Sequence, residues 1–188
     1  TASQEICKGS TPTDLEVITS GGVGIVYTYQ WYTNTSSNTT GGTVILGATT
    51  SIYTPLTTVV GITYYYVAIS QPASGCTVVS DISEVKVNAA PIITSQPISS
   101  VVCEGGTATP LAVSYSDGVG TPTYQWYENT TDSNSGGTAI SIATNDTYDP
   151  PTDTVGTIYY YVVITFPAGG GCSEIKSNTA AVTVEPGI

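Results

Sequence analysis

The side chains that could do chemistry in this 188-residue chain are few: four cysteines, fourteen acids and three basic residues, with no histidine. Ser-His-Asp and Cys-His catalysis both need an imidazole to take the nucleophile's proton, so neither can be assembled. A thiolate metal site is disfavoured for a related reason, since there is no C-x-x-C spacing and no histidine to complete a zinc ligand set. That leaves carboxylates. Asp149 with Asp153, and Glu128 with Asp132, are pairs of the kind glycoside hydrolysis uses, but they lie in loops of the second half and have no counterparts in the first. Asp146, Asp149 and Asp153 share one loop and form a weak calcium candidate, because Ca²⁺ takes oxygen ligands in flexible geometry. The loop resembles no defined calcium loop, and solvated surface acids are the competing reading. The expectation is a chain that is not an enzyme and holds no cofactor.

The elements carrying these residues come in two copies. YQWY at 29–32 returns at 124–127, GGT at 41–43 returns at 136–138, and YYYV at 64–67 returns at 159–162. Cys7 and Cys76 of the first copy are matched by Cys103 and Cys172 of the second. Two domains follow, 1–90 and 91–188, each of the size of a small β-domain. Only 9% of residues are charged, and Tyr is abundant at 14. Aromatic and β-branched side chains suit a pleated, half-buried surface, so the fold class expected is all-β.

A formal net charge of −11 excludes nucleic acid as a partner, because phosphate recognition needs clustered Lys and Arg. The charge is uneven: residues 1–90 carry five acids and two lysines, residues 91–188 nine acids and one lysine. No segment approaches the roughly 18 apolar residues of a membrane helix, so direct membrane insertion is not expected. The chain starts at Thr1 without an initiator Met or signal-like stretch, and reads as a processed or excised piece. The junction from Val87 to Pro97 contains two prolines and should be semi-rigid. Val184 to Ile188 resembles Val87 to Ile92, and Thr1 to Gln4 resembles Ile93 to Gln96. Joined end to start, the termini recreate that junction. The chain is expected to be one two-domain period of a longer array or filament whose partners are neighbouring copies of itself, unless it was merely cut at a domain edge.

Period-2 alternation predicts short strands whose core-facing sets are Leu15 and Val17, Tyr27, Tyr29 and Trp31, and Tyr65, Val67 and Ile69 in the first copy. Leu111, Val113 and Tyr115, Tyr124 and Trp126, and Tyr160, Val162 and Ile164 are the sets in the second. Trp31 and Trp126, each followed by a Gly-x-x-Tyr lead-in at Gly61 to Tyr64 and Gly156 to Tyr159, resemble the immunoglobulin superfamily, with its buried Trp on the third strand facing the sixth. The resemblance implies two tandem immunoglobulin-like β-sandwiches. It departs where the family's intersheet cysteines should lie, near Leu15 or Leu111 and within the YYYV runs, and there packing must replace the bridge. The cysteines fall instead before the second strand and after the sixth, so the pairs expected are Cys7 with Cys76 and Cys103 with Cys172, one disulfide per domain. Such loops contribute about 4 kcal/mol in the chain-entropy model. Oxidised cysteines place the protein outside the cytosol.

The pattern of Cys-x-Gly, YQWY, GGT, Gly-led YYYV and Gly-Cys is similar to the immunoglobulin-like repeats of large secreted cell-surface adhesin and stalk proteins of gliding and environmental Bacteroidota. That likeness implies export by the type IX system, a place at the cell surface, and an adhesive or structural role. Asp153-Thr154-Val155 likewise looks like the O-glycosylation motif of that group, marking Thr154. Asn34, Asn38, Asn129 and Asn145 begin Asn-x-Ser/Thr sequons.

Strand alternation also predicts that Tyr64, Tyr66, Tyr159 and Tyr161 face away from the core beside Tyr32 and Tyr127. Each domain would then expose an aromatic stripe that could bind surface glycans or pack on a neighbour; the other reading is cross-strand pairing that only stabilises the sheet. The function expected is a structural or adhesive module of an extracellular fibre or giant repeat protein. A carbohydrate-binding accessory module is the alternative.

Overall fold

Short β-rich runs broken by Gly, Pro, Asn and Ser fold into strands that bury one face each. A computed structural model of the chain describes residues 2–22 and 26–187. Internal contacts divide it into two compact units, Thr1–Ala89 and Ala90–Ile188.

The first unit runs β1 (Gln4–Cys7), β2 (Leu15–Glu16), β3 (Thr28–Asn34), β4 (Thr43–Val44), β5 (Ile52–Tyr53), β6 (Gly61–Gln71), β7 (Cys76–Val79) and β8 (Ser83–Asn88). Its main sheet has the order β1-β8-β6-β3-β4, with β7 also on β6, and a small β2-β5 pair forms the second layer. β1 lies parallel to β8, whereas β6 is antiparallel to β3, β7 and β8.

The second unit repeats the plan with β9 (Ile92–Ser95), β10 (Ser100–Cys103), β11 (Leu111–Ala112), β12 (Ser114–Ser116), β13 (Thr123–Asn129), β14 (Thr138–Ala139), β15 (Thr147–Tyr148), β16 (Gly156–Thr165), β17 (Glu174–Lys176) and β18 (Ala180–Glu185). The sheet order is β10-β18-β16-β13-β14, with β17 on β16, faced by β11-β15, while β12 pairs β9. Helix is confined, among the described residues, to the single 3-10 turn Ala168–Gly170.

The alternating sets meet in two cores. Leu15, Trp31, Tyr65, Val67, Ile69 and Val85 form the first, with Val17, Tyr27 and Tyr29 packed at its margin. Leu111, Val113, Trp126, Tyr160, Val162 and Ile164 form the second, with Tyr115 and Tyr124 at the margin. Trp31 and Trp126 are wholly buried.

The expected disulfides do not form. Cys7 and Cys172 are disulfide-bonded, while Cys76 and Cys103 carry free, exposed thiols. Register explains why Cys7 cannot pair with Cys76, nor Cys103 with Cys172. Cys7 lies beside Asn88, whose neighbour Val87 pairs with Gly61 at the start of β6. Cys76 pairs with Gln71 at the other end of β6. A strand of 11 residues separates them, about 35 Å, against a Cα separation of about 7 Å at most for a disulfide. In the second unit Cys103 lies beside Glu185, next to the Val184–Gly156 pair, whereas Cys172 follows the far end of β16, where the Phe166 N–H donates to the Ser173 carbonyl at 2.8 Å. Reading the sequence as a linear order of strands placed the two cysteines of a copy together. The parallel docking of the first strand on the last puts them at opposite poles.

Candidate functional site

The repeated motifs converge on one structure in each unit, a braced hairpin whose parts are the Tyr-Gln-Trp-Tyr strand, the Gly-Gly-Thr turn and the triple-Tyr strand. On β3 the Trp31 indole N–H donates to the Thr50 carbonyl at 2.9 Å, and on β13 the Trp126 indole N–H donates to the Asn145 carbonyl at 2.9 Å. Each buried ring therefore keeps its polar edge satisfied while holding the loop that crosses it. The preceding glutamine ties down the same loop: Gln30 Nε2 donates to the Ile45 carbonyl at 2.8 Å, and Gln125 Nε2 to the Ile140 carbonyl at 2.7 Å. The tandem return of that Gln between Tyr and Trp was the signal for this role, and sequence reasoning passed over it.

The outward tyrosines are paired across strands. Tyr32 stacks on Tyr66 with ring centroids 5.0 Å apart and planes 3° from parallel, and Tyr127 stacks on Tyr161 at 5.1 Å and 7°. The exposed stripe expected from alternation is thereby corrected. Tyr66 is 5% and Tyr161 3% exposed, because each ring is covered by its stacking partner and by the glycine turn beside it. A Cβ at Gly42 would sit 2.6 Å from the Tyr66 hydroxyl, and one at Gly137 would sit 3.0 Å from the Tyr161 ring. The preceding Gly41 and Gly136 take φ of +71° and +72°, the left-handed region that side chains disfavour. The two glycines of the Gly-Gly-Thr motif thus do different work, one turning the chain and one admitting the ring. Tyr32, Tyr64, Tyr127 and Tyr159 remain half-buried. Burial, and secondarily the Glu84 carboxylate, push the Tyr64 hydroxyl above its usual range.

Three of the sequon asparagines serve these hairpins, Asn34 and Asn38 in the first unit and Asn129 in the second. Asn34 Nδ2 donates to the Asn38 and Thr40 carbonyls at 3.1 and 3.0 Å while its Oδ1 accepts from the Ser36 N–H. Asn129 Nδ2 donates to the Ser133 and Ser135 carbonyls at 3.0 and 3.2 Å, and its Oδ1 accepts from the Thr131 N–H. These amides hold the loop closed. Asn38 joins the first network by donating from Nδ2 to Ser36 Oγ at 2.9 Å. Asn145 and Thr154 are exposed.

A further pair of residues escaped the sequence reading. Ser80 and Ser177 fill the break between the strand after the hairpin and the last strand. The Val67 N–H donates to Ser80 Oγ at 3.1 Å and the Ser80 N–H donates to the Val67 carbonyl at 3.0 Å. Val162 and Ser177 repeat both bonds at 3.0 Å. A hydroxyl here substitutes for a missing ladder partner, keeping the central strand satisfied where it would otherwise bury orphan groups.

The acids build nothing comparable. Asp146, Asp149 and Asp153 do not form a metal-holding group, and no group of three acidic or thiol ligands is found among the described residues. All three of these carboxylates are exposed. Asp132 accepts a hydrogen bond from Thr179 Oγ1. No helix among the described residues is long and apolar enough to cross a membrane.

Fold and bracing together define the class: tandem immunoglobulin-like β-sandwiches. Residues 1–89 and 94–186 each match the domain of unknown function DUF8696, and the chain belongs to that family. Among solved structures, the chain is similar to the I-band fragment I67–I69 from titin (TM-score 0.54, 13% identity), with 98% of this chain and 63% of that one covered. It is similar also to extracellular domains 3–5 of Drosophila OTK (TM-score 0.58, 13% identity, 98% and 59% covered) and to immunoglobulin domains 1–4 of Sidekick-1 (TM-score 0.51, 17% identity, 98% and 47% covered). At these identities the likeness is one of fold, and the chain spans about three-fifths or less of each of those three chains. Comparison with curated proteins finds no match.

Proposed function

We propose that this chain is a structural or adhesive module of an extracellular fibre or giant repeat surface protein, one period of a linear array whose partners are neighbouring copies. The observation that carries the reading is where the repeated residues are spent. Tyr-Gln-Trp-Tyr, Gly-Gly-Thr and the triple Tyr, the segments most alike between the copies, brace the hairpin and the core of each unit. Here they hold the sheet together, which is what a load-bearing unit requires.

Disulfide-bonded cysteines support a location outside the reducing cytosol. The motif pattern shared with Bacteroidota surface repeats supports export by the type IX route and a place at the cell surface. The rival reading, a carbohydrate-binding accessory module, loses ground with the burial of Tyr66 and Tyr161, since a sugar-stacking platform must present its ring faces. Electron microscopy of native cells tests the proposal: surface filaments or stalks decorated by an antibody to this chain are expected. A freely diffusing protein that instead binds a defined glycan on an array would overturn it.

A further inference from the structure

The two units differ at one strand edge. In the second, β9 runs antiparallel along β12, with Ser95 opposite Ser114, Ile93 opposite Tyr115 and Ile92 opposite Ser116. Ile93 packs against the core from this position, and β17 also lies against β9. The matching stretch of the first unit is Ile18–Ser20, because Val17 and Val113 hold the same place: the Val17 N–H donates to the Ser51 carbonyl and the Val113 N–H to the Asp146 carbonyl, both at 3.0 Å. No strand among the described residues pairs with Ile18–Ser20.

The open edge borders a hollow. Ile18, Thr19, Tyr27, Ile69, Gln71 and Val78 line a depression of about 330 Å³. Ile18 is 93% and Val78 62% exposed. Val78 lies opposite Ile69 as Ile175 lies opposite Ile164, yet Ile175 is half-buried and packs on the second core. Thr19 and Gln71 stand where the second unit has Tyr115 and Phe166, whose rings meet edge to face at 5.3 Å and close that end of the core. An unpaired backbone and an unfilled apolar space therefore coincide, and one incoming strand with an inward apolar side chain satisfies both.

We propose that Ile18–Ser20 is an acceptor edge that takes an extended strand of the Ile92–Ser95 pattern, antiparallel and with one apolar residue turned into the hollow. The donor is the neighbouring repeat that precedes the unit in the array, so the inference rests on the array reading. Position along the chain argues for that donor. Ser3 and Ser99 are equivalent, each Oγ accepting from a last-strand N–H, that of Glu84 at 3.0 Å and that of Ala181 at 2.9 Å. β9 ends four residues ahead of Ser99, and the matching position lies ahead of Thr1. The donated strand joins neighbours through main-chain hydrogen bonds, and the side chain in the hollow sets its register.

The test adds a synthetic peptide of residues 90–97 to the full chain, reading affinity by isothermal titration calorimetry and location by amide hydrogen exchange. Saturable one-to-one binding is expected, with slowed exchange over residues 15–20 and 76–79 and no change at 114–116, where β9 already sits. A peptide carrying Ile93→Asp should bind at least about tenfold more weakly, because it has no apolar side chain to bury in the hollow. Val78→Lys in the chain changes an exposed position and should weaken binding of the parent peptide as well, with the melting temperature unchanged. Absence of saturable binding, equal binding of the Ile93→Asp peptide, or slowed exchange at 114–116 in place of 15–20 would overturn the acceptor edge. Filaments on native cells are scored by microscopy whatever the peptide does, so the edge and the array reading fail separately.

Discussion

Ser83 shows how much one side chain can reveal when a sequence carries its own control. It is wholly buried opposite Tyr65, and its hydroxyl has no hydrogen-bond partner. The equivalent position opposite Tyr160 is Ala180, also wholly buried. A buried hydroxyl left unpaired costs about 1–3 kcal/mol, so Ser83→Ala should stabilise the first unit by about 1 kcal/mol, and Ala180→Ser should weaken the second by a similar amount. Urea denaturation of each variant measures both. Tyr160 offers a pH-dependent counterpart. Burial, then the neighbouring Tyr148 and Glu128, push its hydroxyl up to about 12 from the usual 10. Folding therefore favours the protonated form. Below pH 10 this contribution is fully present; between 10 and 12 the unfolded chain releases a proton that the folded chain keeps, so stability falls as pH rises through that window. Tyr160→Phe should flatten this loss, as read by chemical denaturation at a series of alkaline pH values.

The braced hairpin is the element on which each unit depends. A Cβ at Gly137 would meet the Glu128 carbonyl at 2.7 Å, backbone that cannot swing aside as a side chain could. Gly137→Ala should therefore cost about 1–3 kcal/mol through overpacking, seen as a lower urea midpoint with an unchanged slope. Much at this scale was legible beforehand. The alternation of Tyr29 with Trp31, and of Tyr65 with Val67 and Ile69, identified the buried face because a strand's side-chain period is fixed at two. The same rule misread Tyr66 and Tyr161, for it tells which side of the sheet a residue occupies and nothing about what else lies on that side. A stacked tyrosine and a glycine turn covered those rings, and the clue was already present in the second glycine of each Gly-Gly-Thr. Gln30, Gln125, Ser80 and Ser177 escaped for another reason: they act through hydrogen bonds to loops, which leave no periodic trace.

Across the whole molecule, two sandwich domains could be read from the 95-residue return of their motifs, but the covalent plan could not. Separating Cys7 from Cys76 required knowing that β1 docks parallel to β8, a long-range pairing that puts the first cysteine of each copy at the pole where the last strand ends. Short-range patterns carry no information about such a pairing. With the register known, the two cysteines of each unit stand at opposite poles of its main sheet, and Asp146, Asp149 and Asp153 are exposed. What results is a pair of units whose repeated residues brace the hairpin and the core of each. Cryo-electron tomography of the native cell surface, with averaging along the filament, tests this account most directly. An axial repeat of about 80 Å, the length of two sandwich domains with their linkers, is the result it predicts. Surfaces that bear this chain as isolated, unconnected particles would contradict it.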